Sequence, residues 1–357
     1  MIQYLSQKIA YGLLTLFGVV TVVFILFNGL GNPARMMLDQ NASSEQIAQV
    51  NHKYGFDKPL YQQYFYYLND LSPLSIHSTN KTDFTALDKT KFKYLKLFNI
   101  FNKTLILKAP YLRESYHKQG KKVSTILAET LPNTAILAVL AISIAIVLGI
   151  FLGILSAVYK DTFFDRFIAL ISTIGMSTPS FFASILFAWI FGFLWHNYTG
   201  LNMTGSLYEV DDFGEGVFIQ WRNIILPAVV LGIRPLAVII QLMRNSLLET
   251  LNQDYIRTAK AKGLSQYQII KKHALKNALN PVVTAISGWF ASLLAGAVFV
   301  EYIFGWNGLG KEIVNALSQS DLPVIMGAVL LIATLFIIIN ILLDFVYAWL
   351  DPKVKLD

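Results

Sequence analysis

Cysteine is absent from the chain, which excludes disulfides, thiol chemistry and iron–sulfur clusters but does not fix a compartment. Histidine is sparse: His52, His77, His117, His196 and His273 are scattered without metal-ligand spacing, so no metal site is expected. Charge is scarce as well. Only 14% of the residues are Asp, Glu, Lys or Arg against 55% hydrophobic, far from the balance of a soluble domain of 357 residues. No Gly-x-Ser-x-Gly elbow occurs and nothing else pairs a nucleophile with a base, so the chain is not expected to be an enzyme. The one phosphate-loop lookalike, Gly305-Trp-Asn-Gly-Leu-Gly-Lys311, ends in Glu312 where Ser or Thr should hold magnesium, and no strand precedes it. A tight glycine turn is the better reading.

What the chain has in plenty is long apolar runs. Six of about 20 residues or more can cross a bilayer as helices: Ile9–Leu30, Thr130–Tyr159, Arg166–Trp195, Ile224–Met243, Pro281–Phe299 and Pro323–Trp349. The N-terminal run is longer than a signal-peptide core and no Ala-x-Ala-like site follows, so it reads as a retained span. The passage 244–280 holds seven Lys or Arg against two acids, which places it and both termini on the cytoplasmic side.

That passage contains two helices hinged at a glycine. Asn252 or Asp254 is expected to cap the first, Gly263 to end it in the left-handed conformation, and Ser265 with Gln268 to open the second through a capping box, with Leu264 and Ile269 as a staple. Upstream, Ser43 or Ser44 caps a helix ending at Gly55, and Pro59 opens an aromatic run, Tyr61–Leu68. From Leu71 to Lys122 there is no clear period, and eleven Lys or Arg face three acids, so the segment reads as a loop or small solvated addition. Within the second span Ala145, Gly149, Gly153 and Ala157 lie on one face, and Gly288, Ser292 and Gly296 repeat the spacing in the fifth; such stripes let helices approach closely. Pro179 interrupts the third span, and Arg234 is costly within the fourth unless it meets water or a partner.

These features resemble the membrane subunits of type I ABC importers, in particular the dipeptide, oligopeptide and nickel permease group. Asp254-Tyr-Ile-Arg-Thr-Ala-Lys-Ala-Lys-Gly-Leu-Ser265 is similar to that group's form of the EAA loop, by which such permeases dock on their ATPases. Gly31-Asn-Pro-Ala, Tyr54-Gly-Phe-Asp-Lys-Pro-Leu60, Leu131-Pro-Asn-Thr, Ser177-Thr-Pro-Ser-Phe, Glu301-Tyr-Ile-Phe-Gly-Trp-Asn-Gly-Leu-Gly310, Asp321-Leu-Pro, Asn340 with Asp344, and Asp351-Pro-Lys extend the resemblance over residues 1–68 and 123–353. Asn307 stands where proline is common, and Gln241 where arginine is expected.

The resemblance implies an all-α polytopic fold: a first transmembrane helix at 1–30, an extracytoplasmic region at 31–122, and a five-helix permease core at 123–357 that carries the coupling loop. It implies a multi-pass protein of a bacterial or archaeal cytoplasmic (inner) membrane, which imports peptides or a related small solute, a nickel chelate among them. Its partners would be a second homologous permease, two ATP-binding subunits that hold the ATP and magnesium, and an extracytoplasmic substrate-binding protein; no nucleic acid is implied. Asp254, Tyr255, Arg257, Thr258, Ala259, Lys262, Gly263 and Ser265 are expected to couple to the ATPases, with small Ala259 and Gly263 suited to insertion in a cleft. Ser177, Ser180, Arg234, Gln241 and Ser287 are polar groups in apolar spans and so are expected to line the pathway. Alternatives are a secondary transporter, which would ordinarily use an intramembrane acid, and a membrane scaffold or receptor without transport.

Overall fold

The computed structural model describes residues 2–28, 33–38, 42–80, 83, 85–87, 91, 93–118, 120–210 and 216–350. Helices dominate: α1 (Ile2–Asn28), α2 (Pro33–Met37), α3 (Ser44–Tyr54), α4 (Leu60–Leu71), α5 (Val123–Val158), α6 (Phe163–Ser177), α7 (Ser180–Phe187) and α8 (His196–Thr199). After them come α9 (Arg222–Leu251), α10 (Asp254–Ala261), α11 (Gln266–Ile269), α12 (Leu275–Gly296), α13 (Val298–Phe304), α14 (Leu309–Ser318) and α15 (Leu322–Leu350). The strands are β1 (Leu74–Ser78), β2 (Tyr94–Ile100), β3 (Lys103–Lys108), β4 (Tyr208–Val210) and β5 (Val217–Ile219). Two compact units emerge, one built around Thr130–Glu312 and the other around Leu5–Glu129 with Ile313–Thr334.

In the first unit, α5 and α9 are zipped together through glycine. A Cβ on Gly149 would sit 2.6 Å from the Ile239 side chain, one on Gly153 2.6 Å from that of Met243, and one on Gly232 2.9 Å from the Ala141 carbonyl oxygen. The small-residue stripe of the second span therefore packs within the chain, whereas a Cβ at Gly288 in α12 would meet open space. Because the paired positions rise together along both helices, α5 and α9 run parallel. The chain between them must then cross back once. That crossing is α6 and α7, which meet at 111° across the break at Thr178-Pro179, where proline supplies no amide hydrogen and Thr178 Oγ1 donates to the Ile174 carbonyl at 2.7 Å.

By length and apolarity, four helices among the described residues can cross a membrane (α1, α5, α9 and α15), or five with the bent pair. Packing sets α12 alongside α9. Its Ala278 and Val282 cluster with Met243 and Leu247 near the end of α9, and its Leu293 clusters with Ile224 and Leu226 at the start, so α12 retraces α9 in the opposite direction.

In the second unit α4 is fastened to α1. Tyr64 shares a hydrogen bond of 2.6 Å with Thr21, and the Phe24 ring packs on those of Tyr64 and Tyr67. Of the two readings of this segment, a loop or a small addition, the structure shows the second: it holds an antiparallel sheet of order β1-β3-β2. The Asn69 side chain clamps β1 to α4 by pairing with both backbone groups of Ile76, at 2.8 and 3.0 Å. Ion-paired to Asp70 at 2.9 Å, Arg113 lies over the Tyr67 ring, and the buried Asp321 carboxylate accepts from Ser115 Oγ and the Tyr116 amide. Ser43 builds the capping box of α3 with Gln46, and Gly55 ends that helix at φ +73°. Gly31, Asn32, Asp211, Asp212 and Asp351-Pro-Lys lie outside the described residues.

Candidate functional site

Between α9 and α12 the chain builds a short amphipathic helix. Ile256 and Ala259, one turn apart on α10, are buried in a cluster with Ile239, Met243, Leu247, Ile269, Ala274, Ala278 and Val282. Asp254, Tyr255, Arg257, Thr258 and Lys262 are exposed around the opposite face. The small side chain at position 259 thus serves packing inside the chain, and Ala259 does not belong to the outward surface expected of it.

Capping differs from the sequence expectation at one end. Gln253 occupies the N-cap of α10 without a side-chain cap, Asp254 is the first helical residue and pairs weakly with Arg257, and Asn252 bonds back to the Leu248 carbonyl. The other end follows it. Gly263 has φ +78°, with open space where a Cβ would stand, so backbone conformation alone demands glycine there. Ser265 and Gln268 form the reciprocal capping box of α11, while Leu264 and Ile269 pack into the same core.

Beyond α11 the second helix does not stop before Pro281. It passes through one π-turn, Ile270–Ala274, and continues as α12 with Pro281 inside it. Asn277 on α12 donates to the Tyr255 hydroxyl at 2.8 Å, tying α10 to this continuous helix.

A second fastening was invisible in the sequence. Asp165, almost fully buried near the start of α6, accepts from Arg244 Nε at 2.7 Å and Nη2 at 2.6 Å, from Ser156 Oγ, and from the Asp161 amide at 3.0 Å. The planar guanidinium presents two parallel donors to one carboxylate, which fixes geometry as well as charge. It joins the ends of α5, α6 and α9 beside the α10 surface. Asp165 and Arg244 lie 79 residues apart, so no local pattern could pair them.

The polar groups expected to line a pathway are partly gathered. Gly175 of α6 packs on Ile233 and Ala237, which flank Arg234 on α9 and bring the break at Ser177–Ser180 beside that turn. Arg234 and Ser177 are exposed, Ser180 and Gln241 are half-buried, and Gln241 follows Arg234 two turns along the same face. The Ser287 side chain lies outside the described residues.

The glycine turn resembling a phosphate loop is closed by one of the chain's own carboxyl groups. Glu301, fully buried, accepts from the Gly310 amide at 2.6 Å and the Lys311 amide at 3.4 Å, the first donors of α14. A Cβ on Gly308 would fall 2.4 Å from the same carboxylate. Trp306 Nε1 donates to the Asn133 carbonyl at 3.1 Å and the Leu309 amide to Thr134 Oγ1 at 2.8 Å, pinning the turn to α5. Burial pushes the Glu301 carboxyl up to about 7.

Residues 149–356 match the model of the family described as binding-protein-dependent transport system inner membrane component, and residues 1–87 match its N-terminal companion. The dipeptide transport system permease protein DppB of Alkalihalophilus pseudofirmus is 32% identical over 369 residues, covering 99% of this chain and 100% of that one. Its counterpart in Escherichia coli K12 is 31% identical, with 99% of each chain covered. Among solved structures, an inward-facing MetNI methionine ABC transporter aligns at a TM-score of 0.50 and 18% identity, over 64% of this chain and 97% of that one, a likeness of fold.

Proposed function

Because the chain belongs to the binding-protein-dependent transport system inner membrane component family, as a permease subunit of an ATP-binding-cassette peptide importer, we propose that α10 is the surface on which partner ATPases dock. The observation that carries this reading is the two-sided build of α10. Its apolar side is held by Ile256 and Ala259 in the core shared by α9 and α12, and its polar side, with Asp254, Tyr255, Arg257, Thr258 and Lys262, is left to a partner. Gly263 and Ser265 shape the link to α12.

In this reading ATP and magnesium are held by two ATPase subunits, and this chain forms the pathway with a second, homologous permease. The surplus of Lys and Arg at 244–280 supports a cytoplasmic docking surface, with both termini on that same side in this reading and a substrate-binding protein delivering solute on the other. Nucleotide state shifts the equilibrium between inward-open and outward-open forms only by the difference in docking free energy between them. Arg234, with Ser177, Ser180, Gln241 and Ser287, lines the route, and the guanidinium attracts the carboxylate of a passing peptide.

The test is co-purification combined with peptide uptake. Arg257→Glu with Thr258→Trp should leave the chain in the membrane but release the ATPases and stop uptake. Retention of both ATPases by that variant would sink the docking assignment.

A further inference from the structure

The sheet of the second unit has a mainly polar inner face, which is covered, and an apolar outer face, which is not. Ser75, His77, Thr104, Ile106 and Lys108 are buried on the inner side. On the outer side the register sets Leu74, Leu107 and Leu95 in one row and Ile76, Leu105 and Phe98 in the next. Leu74, Ile76, Leu95, Phe98 and Leu107 are between 40% and 68% exposed, and Phe101, at the tip of the β2–β3 hairpin, is 99% exposed. A row of large apolar side chains on a sheet facing water is costly and marks a contact surface.

Charge says which kind. From Tyr94 to Lys108 the two strands and their turn carry no acid, and Lys103 at the start of β3 and Lys93 just ahead of β2 share the parity of the outer row, while Lys96 and Lys108 belong to the inner one. Apolar side chains ringed by lysine are the composition of elements that sit in the lipid interface, apolar atoms among the acyl chains and ammonium groups among anionic headgroups. Attachment gives proximity. The sheet follows α4 directly, and α4 is fastened at Thr21 and Phe24 to the last two turns of α1, a helix long and apolar enough to cross the membrane.

We propose that the outer face of the β1-β3-β2 sheet, with Phe101 as its wedge, rests on the bilayer surface and takes anionic lipid headgroups through Lys93 and Lys103. The face is then a paddle that holds the extracytoplasmic part of this unit against the leaflet, rather than a platform for another protein.

The natural lack of cysteine makes a direct test simple. Phe101→Cys in the full chain, labelled with an environment-sensitive nitrobenzoxadiazole and reconstituted in phosphatidylcholine vesicles with or without phosphatidylglycerol, reports where the hairpin tip lies. Expected are quenching by lipid-borne nitroxide, protection from aqueous iodide, and a stronger effect with phosphatidylglycerol that is lost in the Lys93→Gln, Lys103→Gln background. Free access of iodide in both kinds of vesicle overturns the proposal. So does shielding that appears only when a soluble binding protein or second permease is added, since the face then belongs to a protein. If Phe101→Cys fails to insert, Leu95→Cys on the same exposed face gives the same readout.

Discussion

Replacing Asp165 by Asn should loosen the chain where α5, α6 and α9 meet. The substitution conserves shape and removes one charge. Asp165 Oδ1 accepts from Arg244 Nε and Ser156 Oγ, and Oδ2 accepts from Arg244 Nη2 and the Asp161 amide. An amide keeps one oxygen, so two of these bonds survive; at the other position an NH2 group faces two donors. Each lost bond to a charged group is worth roughly 1.5–3 kcal/mol. Breaking a buried pair by removing one partner costs about 3–5 kcal/mol. Arg244 remains a quarter exposed and so recovers part of its hydration, which places the expected loss near the lower end, about 3 kcal/mol. The assay is a double-mutant cycle with Arg244→Gln, read by denaturant unfolding of the purified chain in detergent. If the bidentate pair is what joins the helices, the double variant should cost at least about 2 kcal/mol less than the sum of the singles. Additive losses, or a loss below about 1 kcal/mol for Asp165→Asn alone, would refute the reasoning. Uptake should fall in parallel, because Arg244 anchors the part of α9 that leads into α10.

Three further outcomes follow from the same geometry. Gly263→Val places a β-branched residue at φ +78°, at a cost of roughly 1–2 kcal/mol, and should abolish uptake while leaving membrane insertion intact; wild-type uptake would exclude a role for the hinge. Glu301 holds its proton at about 7 in the folded chain against 4.5 ordinarily, so its contribution to stability is full below about 4.5 and is lost as pH rises through 7, a change of about 3 kcal/mol. The thermal midpoint of the wild type should therefore decline from pH 5 to pH 8 more steeply than that of Glu301→Gln, and parallel curves would contradict the assignment. Arg234→Gln should alter peptide uptake or preference between peptides with free and amidated carboxyl termini, and identical profiles would remove Arg234 from the pathway.

Local signals carried well into three dimensions. Gly263, the Ser265–Gln268 box and the Ser43 cap depend on neighbours a few residues away, and each is where the sequence puts it. The glycine stripe at Gly149 and Gly153 reports close helix approach, though only the structure names α9 as the partner. Three things escaped. The sheet at 74–108 has an inverted pattern, with Ser75, His77, Thr104 and Lys108 on the covered face and leucine and phenylalanine on the open one, and the register shift between Lys96 and Phe98 breaks the two-residue period in β2. Pairing of Asp165 with Arg244 depends on how three helix ends converge, and nothing near either residue signals it. Ala259 reads as a docking residue until Ile256 beside it is seen pointing into the core, an amphipathic spacing too short to recognise in a helix of eight residues.

Both ends of α10 meet the membrane helices at a break in the helical backbone. Towards α9 the break is at Gln253, whose ψ of 152° leaves the helical region; towards α12 it lies at Gly263, with φ +78°, and Ser265, with ψ 154°, and beyond it the chain runs through α11, a π-turn and α12 without another interruption. Between its two joints α10 is free to shift as a unit, and what it moves on the far side of the second joint is one long rod. With 22 residues α12 is about 33 Å long, so a tilt of about 10° at its near end would swing its far end by about 6 Å. The length of that rod is a lever arm: a small displacement at the α10 end corresponds to a larger one at the far end, beside the start of the antiparallel α9.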